Sequence, residues 1–152
     1  MKDNINVKQY KAAEVKLTYK SKIKSSDRIQ IKNAEDAASL FFKIWDMDTI
    51  EHIEEVKILL LNRANRVLGI ATISQGGMSG SVIDTRVILQ YAIKANASAV
   101  ILAHNHPSGN LEASDADKRI TERVRDALKL VEIQLLDHLI LNSDEKYETI
   151  NC

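Results

Sequence analysis

The chain has 152 residues, 45% hydrophobic and 28% charged, the balance of a soluble globular protein long enough to bury a core. Its one cysteine, Cys152, excludes an internal disulfide, no apolar run approaches the roughly 20 residues of a membrane span, and Met1-Lys2-Asp3 does not begin a signal peptide, so a cytoplasmic location is expected. Net charge is zero yet uneven: residues 1–32 hold nine Lys/Arg against three acids, leaving the remainder equally acidic.

In the basic segment Val15, Leu17 and Tyr19 alternate with Lys16, Thr18 and Lys20, a period-two pattern that predicts a half-solvated edge strand with its lysines in water. Asn33 caps a predicted helix over Ala34–Asp46, with Ala37, Phe41, Ile44 and Trp45 on its apolar side. A strand follows over Glu54–Asn62, then a turn at Arg63-Ala64-Asn65 and a second strand over Val67–Ile73, together a hairpin. Gly76-Gly77-Met78-Ser79-Gly80 reads as a flexible loop. Asp84 caps a helix over Thr85–Lys94, with Val87, Ile88, Tyr91 and Ala92 as its apolar stripe and Asn96 as its stop. The small, apolar and β-branched run Ala97–Ala103 is a buried strand, and Ile120, Val124, Leu128 and Val131 mark a long helix after Ser114. Strands at Gln134–Leu141 and Tyr147–Ile150 complete the chain. The expected class is α/β, a mixed sheet flanked by helices, with a basic extension over 1–32 and one domain over 33–152.

The chemistry concentrates where the buried strand ends, in His104-Asn105-His106-Pro107 followed by Ser114 and Asp117. Side chains alternate along a strand, so two histidines separated by one residue point the same way. Pro107 cannot donate a ladder hydrogen bond and helps to end the strand. Asp117 lies on the first turn of the following helix and can reach back to the strand end. Two imidazoles and a carboxylate make a donor set suited to zinc with a fourth position open, the arrangement of a catalytic rather than a closed structural site. Ser114-x-x-Asp117 is also close to a capping box, and capping and a site role are compatible at one hydroxyl.

His104-Asn105-His106-Pro107-Ser108-Gly109 with Ser114-x-x-Asp117 resembles the JAMM motif of JAB/MPN metalloprotease-like domains, and Asn105 with the Pro-Ser-Gly continuation resembles the RadC branch. Leu59-Leu60-Leu61-Asn62-Arg63, Lys94-Ala95-Asn96-Ala97-Ser98 and Leu136-Asp137-His138-Leu139-Ile140 extend that similarity over about residues 50 to 150. The resemblance implies a three-layer JAB/MPN (cytidine-deaminase-like) fold and one Zn²⁺ per chain on His104, His106 and Asp117. It also implies that Ser114 supports the water or the developing oxyanion, and that an upstream glutamate serves as general base. Glu54 and Glu55 are the candidates. Strand alternation lets only one of them face the site, and spacing to Asn62 in the family pattern selects Glu54.

Other readings fall away on the residues. The HNH nucleases disperse their three residues along a ββα-metal unit, whereas these are adjacent. A zinc deaminase needs His-x-Glu with Pro-Cys-x-x-Cys, and the sequence has neither His-Glu-x-x-His nor a Gly-x-x-x-x-Gly-Lys loop. Asp137-His138 on a buried strand either orients metal ligands from behind or satisfies itself in the core. His52 reads as a surface residue and Arg86 as a surface ion-pair partner. The function expected is a zinc-dependent hydrolase of the metallopeptidase or isopeptidase type, acting on an unknown peptide or protein and associated by resemblance with DNA repair. The alternative is a catalytically silent, metal-stabilised DNA-repair or mobile-DNA binding module, contacting DNA weakly through the basic segment. RadC-type proteins often carry a helix-hairpin-helix region before this domain, and no Gly-rich hairpin of that kind occurs here.

Overall fold

A computed structural model describes residues 7–76 and 83–151. Among the described residues three α-helices and five strands form in the order α1 (Ala34–Ile44), β1 (Glu55–Leu61), β2 (Val67–Gln75), α2 (Thr85–Lys94), β3 (Ala99–Asn105), α3 (Asp115–Leu130), β4 (Gln134–Leu141) and β5 (Tyr147–Thr149), after two short 3₁₀ turns at Val7–Tyr10 and Ser25–Asp27. They build one sheet in the order β2-β1-β3-β4-β5. β1 pairs antiparallel with both β2 and β3, while β3 and β4 are parallel. That parallel pair needs a crossover, and α3 supplies it.

β3 is buried along its whole length, as its run of alanine and β-branched residues requires of a central strand covered on both faces. Leu59, Leu61, Ile101, Ala103, Leu139 and Leu141 pack against Ala37, Phe41 and Trp45 of the α1 region. Their neighbours Ile58, Leu60, Val100 and Leu102 face the opposite way, onto Ile88 and Ala92 of α2 and Val124 and Leu128 of α3. The result is a three-layer α/β/α arrangement with β3 at its centre. Each helix starts on a short polar side chain that can accept a free backbone amide of the first turn. Asn33, Asp84 and Ser114 accept those of Asp36, Arg86 and Asp117.

Several expected boundaries differ: β3 runs Ala99–Asn105 rather than Ala97–Ala103, β2 reaches Gln75 rather than Ile73, and β1 and β5 are trimmed to Glu55–Leu61 and Tyr147–Thr149. α1 stops at Ile44 because Trp45 turns extended and drops its indole into the core, 4% exposed, instead of continuing to Asp46. No strand forms around Val15, Leu17 and Tyr19; an isolated bridge, Gln30 to Arg66, is the pairing found nearby. Val15 is 93% exposed and Leu17 71%. Alternation without a face to bury does not hold a strand. Gly77–Gly80 of the glycine-rich loop and Cys152 lie outside the described residues. Among the described residues, no helix is long and apolar enough to cross a membrane.

Candidate metal centre

The centre is built at the C-terminal end of β3. His104 occupies the penultimate position of the strand, opposite Val56 on β1 and Ile140 on β4, and its side chain is 2% exposed. His106 continues the ladder for one more bond, its amide donating to Leu141 O at 3.0 Å, before Pro107 ends the pairing. A turn closes as Gly109 N donates to His106 O at 2.9 Å, and Gly109 takes φ +84°, where an L side chain is strained. Asn142 Nδ2 holds Gly109 O at 3.1 Å. The loop then brings Asn110 O within 2.5 Å of His106 Nδ1.

α3 starts with the full capping box: Ser114 Oγ accepts Asp117 N at 3.0 Å, and Asp117 Oδ2 accepts Ser114 N at 2.9 Å. The same carboxylate reaches the histidines, Oδ1 at 3.3 Å from His104 Nε2 and Oδ2 at 3.3 Å from His106 Nε2. Capping and convergence on the centre therefore coexist in one side chain. Glu54, just before β1, presents Oε1 4.0 Å from His104 Nε2. Glu55 points away and is tied to Gln75 at 2.9 Å and Lys57 at 3.1 Å. The residues of the sequence motif are thus brought together, with Glu54 rather than Glu55 beside them.

Proton placement follows from the acceptors. Asn110 O can only accept, so His106 carries its proton on Nδ1 and turns a lone pair on Nε2 inward. Thr121 Oγ1 sits 2.7 Å from Asp117 O and 2.6 Å from His138 Nδ1. With one hydroxyl proton, and a carbonyl that cannot donate, Thr121 donates to Asp117 O and accepts from His138 Nδ1–H. His138 Nε2 is then the acceptor for His104 Nδ1–H at 2.8 Å. His104 Nε2 is left as a second inward lone pair, 2.9 Å from His106 Nε2. His138, 1% exposed, stays neutral: burial, then the charge of His104, pushes its pKa well below 6.5. Of the two readings open for the Asp137-His138 pair, the geometry places His138 directly behind His104, while Asp137 accepts its neighbour's amide.

Two facing imidazole lone pairs and two carboxylates repel one another unless a cation or added protons lie between them. Without a cation, the hydrogen bond that protonated His106 can donate to Asp117 raises the pKa of His106 against the opposing effect of burial. Burial works against the charged form of Asp117, but its hydrogen bonds to His104 and His106 prevail and hold its carboxyl far below the usual range. One nitrogen from each of His104 and His106 and an oxygen of Glu54 lie within 4.8 Å of one another, a cluster able to hold a metal ion. Asp117 stands beside this cluster, Oδ1 3.3 Å from His104 Nε2 and Oδ2 3.3 Å from His106 Nε2, and imidazole nitrogens with carboxylate oxygens are a donor set of the kind that zinc accepts. A surface groove of about 1170 Å³ beside Asn62, Asn96, Arg125 and Gln134 opens at the opposite end of the sheet.

Two residues to which sequence reasoning gave no role belong to this end of the fold. Thr121 sets the proton order just described, and its signal was its place four residues after Asp117 on one helix. Asn105, 0% exposed, faces the other side of the sheet from the histidines and bonds the segment carrying Glu54.

The RadC-like JAB domain model matches residues 31–150. The chain belongs to the RadC-like JAB domain family. A UPF0758 protein of Clostridium kluyveri is 38% identical over 131 residues, covering 86% of this chain and 56% of that protein. The UPF0758 protein YfjY of Escherichia coli is 44% identical over 94 residues, 62% of this chain and 59% of that protein. A UPF0758 protein of Flavobacterium johnsoniae is 38% identical over 98 residues, 64% of this chain and 43% of that protein. This RadC-like chain thus spans about half the length of the relatives it matches, and the family match covers all the residues of the centre.

Proposed function

We propose that this RadC-like JAB domain is a zinc-dependent hydrolase of amide or isopeptide bonds. The observation that carries the reading is the pair of inward Nε2 lone pairs, 2.9 Å apart, with Asp117 Oδ1 3.3 Å from the His104 nitrogen and Oδ2 3.3 Å from that of His106. His104, His106 and Asp117 would hold the ion. Zinc bound there would supply Lewis acidity, activating a water and polarising a carbonyl. Glu54 takes one proton from the attacking water as the C–O bond forms, and returns it to the nitrogen as the C–N bond breaks. Ser114 accepts the Asp117 amide through Oγ and so keeps its own hydroxyl proton to donate to the developing oxyanion.

Elemental mass spectrometry of the purified protein tests the reading. We expect near one zinc per chain, lost in His106→Ala and Asp117→Ala. Glu54→Gln should keep zinc yet slow cleavage of an unstructured peptide pool by about 10²–10⁴-fold. An unaltered protein that takes up no zinc at neutral pH would sink the proposal.

A second reading, a metal-stabilised module that contacts DNA, has one observation in its favour: residues 9–20 are all exposed, lysines included. Salt-dependent DNA binding lost on deleting residues 1–32, together with zinc but no cleavage, would replace the first reading with this one.

A further inference from the structure

We propose that Asn105 is the positioning residue for Glu54, its side-chain amide clamping the peptide groups on both sides of that carboxylate. The inference rests on reading Glu54 as the general base. Asn105 lies between the two histidines in sequence but on the opposite face of β3, fully buried beneath the segment that leads from α1 into β1. Its Oδ1 accepts Glu55 N at 2.7 Å. Its Nδ2 donates to Ile53 O at 2.9 Å and to Ile50 O at 2.7 Å. The Ile53 carbonyl belongs to the peptide plane before Glu54, and the Glu55 amide to the plane after it. That second plane is held at both edges, because Glu54 O also accepts Gly76 N at 2.8 Å. With both flanking planes fixed, the Cα–Cβ direction of Glu54 is fixed too, and its carboxylate stands 4.0 Å from His104 Nε2.

The chemistry of the clamp explains the residue type. Two donors and one acceptor are needed in one planar group close to the backbone, which an asparagine amide provides. An ionised aspartate has no donor, serine has one, and glutamine is longer by a methylene. The middle residue of His-Asn-His therefore has a role of its own. On one face the strand end presents two rings; on the other it hooks the segment that delivers the carboxylate. The two roles occupy adjacent positions on a central strand, so the rings and the carboxylate share one rigid reference.

The test is nuclear Overhauser contacts in the full chain, recorded zinc-free and with zinc supplied. In the unaltered protein the Glu54 side chain should show contacts to the His104 ring. In Asn105→Asp, which sets a carboxylate against the Ile50 and Ile53 carbonyls, those contacts should be lost while His104–His106 and His104–His138 contacts persist. Asn105→Leu, near in volume and without donor or acceptor, keeps the test open should the aspartate variant not fold. Glu54–His104 contacts retained in either folded variant, absent from the unaltered protein, or lost only together with the other ring contacts would overturn the assignment. Zinc content of the same samples separates the two readings. Glu54 in place without zinc overturns the hydrolase and leaves Asn105 standing; zinc bound with Glu54 undisturbed in the variants does the reverse.

Discussion

Thr121 has one hydroxyl proton, and its destination decides the protonation of two rings. Replacing the hydroxyl by a methyl group in Thr121→Val leaves the His138 Nδ1–H and Asp117 O without their partner and frees His104 to adopt the wrong tautomer. Partners behind a ligand of this kind are worth about 10–100-fold in metal affinity, so zinc competition against a chelator should show a loss of that size with the fold intact. Asp137, beside this chain of hydrogen bonds, behaves differently. Burial raises its carboxyl pKa above the ordinary 3.8, only partly offset by the His138 amide. The folded state therefore holds that proton more tightly than the unfolded state does. The stability contribution is fully present below 3.8 and is lost as pH rises through the folded value. Asp137→Asn, whose side-chain oxygen still accepts the amide, should be more stable than the unaltered protein at neutral pH. Urea midpoints should show the gap narrowing as pH falls towards the ordinary carboxylate range.

At the scale of elements, the turn after β3 matters as much as the strand. Gly109 sits at φ +84° with open space around it, so an added Cβ meets no atom and the cost of Gly109→Ala is backbone strain alone, about 1–2 kcal/mol. Because that turn brings Asn110 O to His106, calorimetry should show the destabilisation together with weaker zinc retention. β3, α3 and the capping box were legible in the sequence, since each is a local pattern with a local cause: a continuous apolar and β-branched run, the spacing Ile120-Val124-Leu128, and Ser114 three before Asp117. Parity in the sequence said only that one of Glu54 and Glu55 could face the site, and the choice of Glu54 leaned on its spacing to Asn62 in the family resemblance; the pairing of Val56 with His104, which sets the face Glu54 shares, is a register that only the fold supplies. The arm was misread because period-two alternation specifies a strand only when another strand and a core face receive it. The role of Asn105 was hidden for the opposite reason. Its partners lie about fifty positions away, and no pattern near it records them.

Across the whole molecule, the packed core begins near Ile31, and the described residues before it touch little of it. Tyr19 donates to Leu68 O at 2.6 Å, and the residues around it are exposed. Arg66 reaches back to Arg28 O at 2.8 Å, so attachment starts there. Deleting residues 1–24 should therefore shift stability by no more than about 0.5 kcal/mol in urea titrations, the range of surface changes away from structural features. The same deletion removes most of the excess basic charge and leaves an acidic body.

The crossover that makes β3 and β4 parallel also sets when the centre can come into being. His104 and His138 are 34 positions apart and join only when α3 has packed across the sheet. Glu54 arrives by a separate antiparallel pairing. A collapsed chain with its helices formed but its strands unpaired holds His104 and His106 near each other by local connectivity alone. Loop-closure entropy must be met twice before the remaining groups arrive. On the proposed reading, the groups that would hold the ion are therefore all in place only in the finished topology.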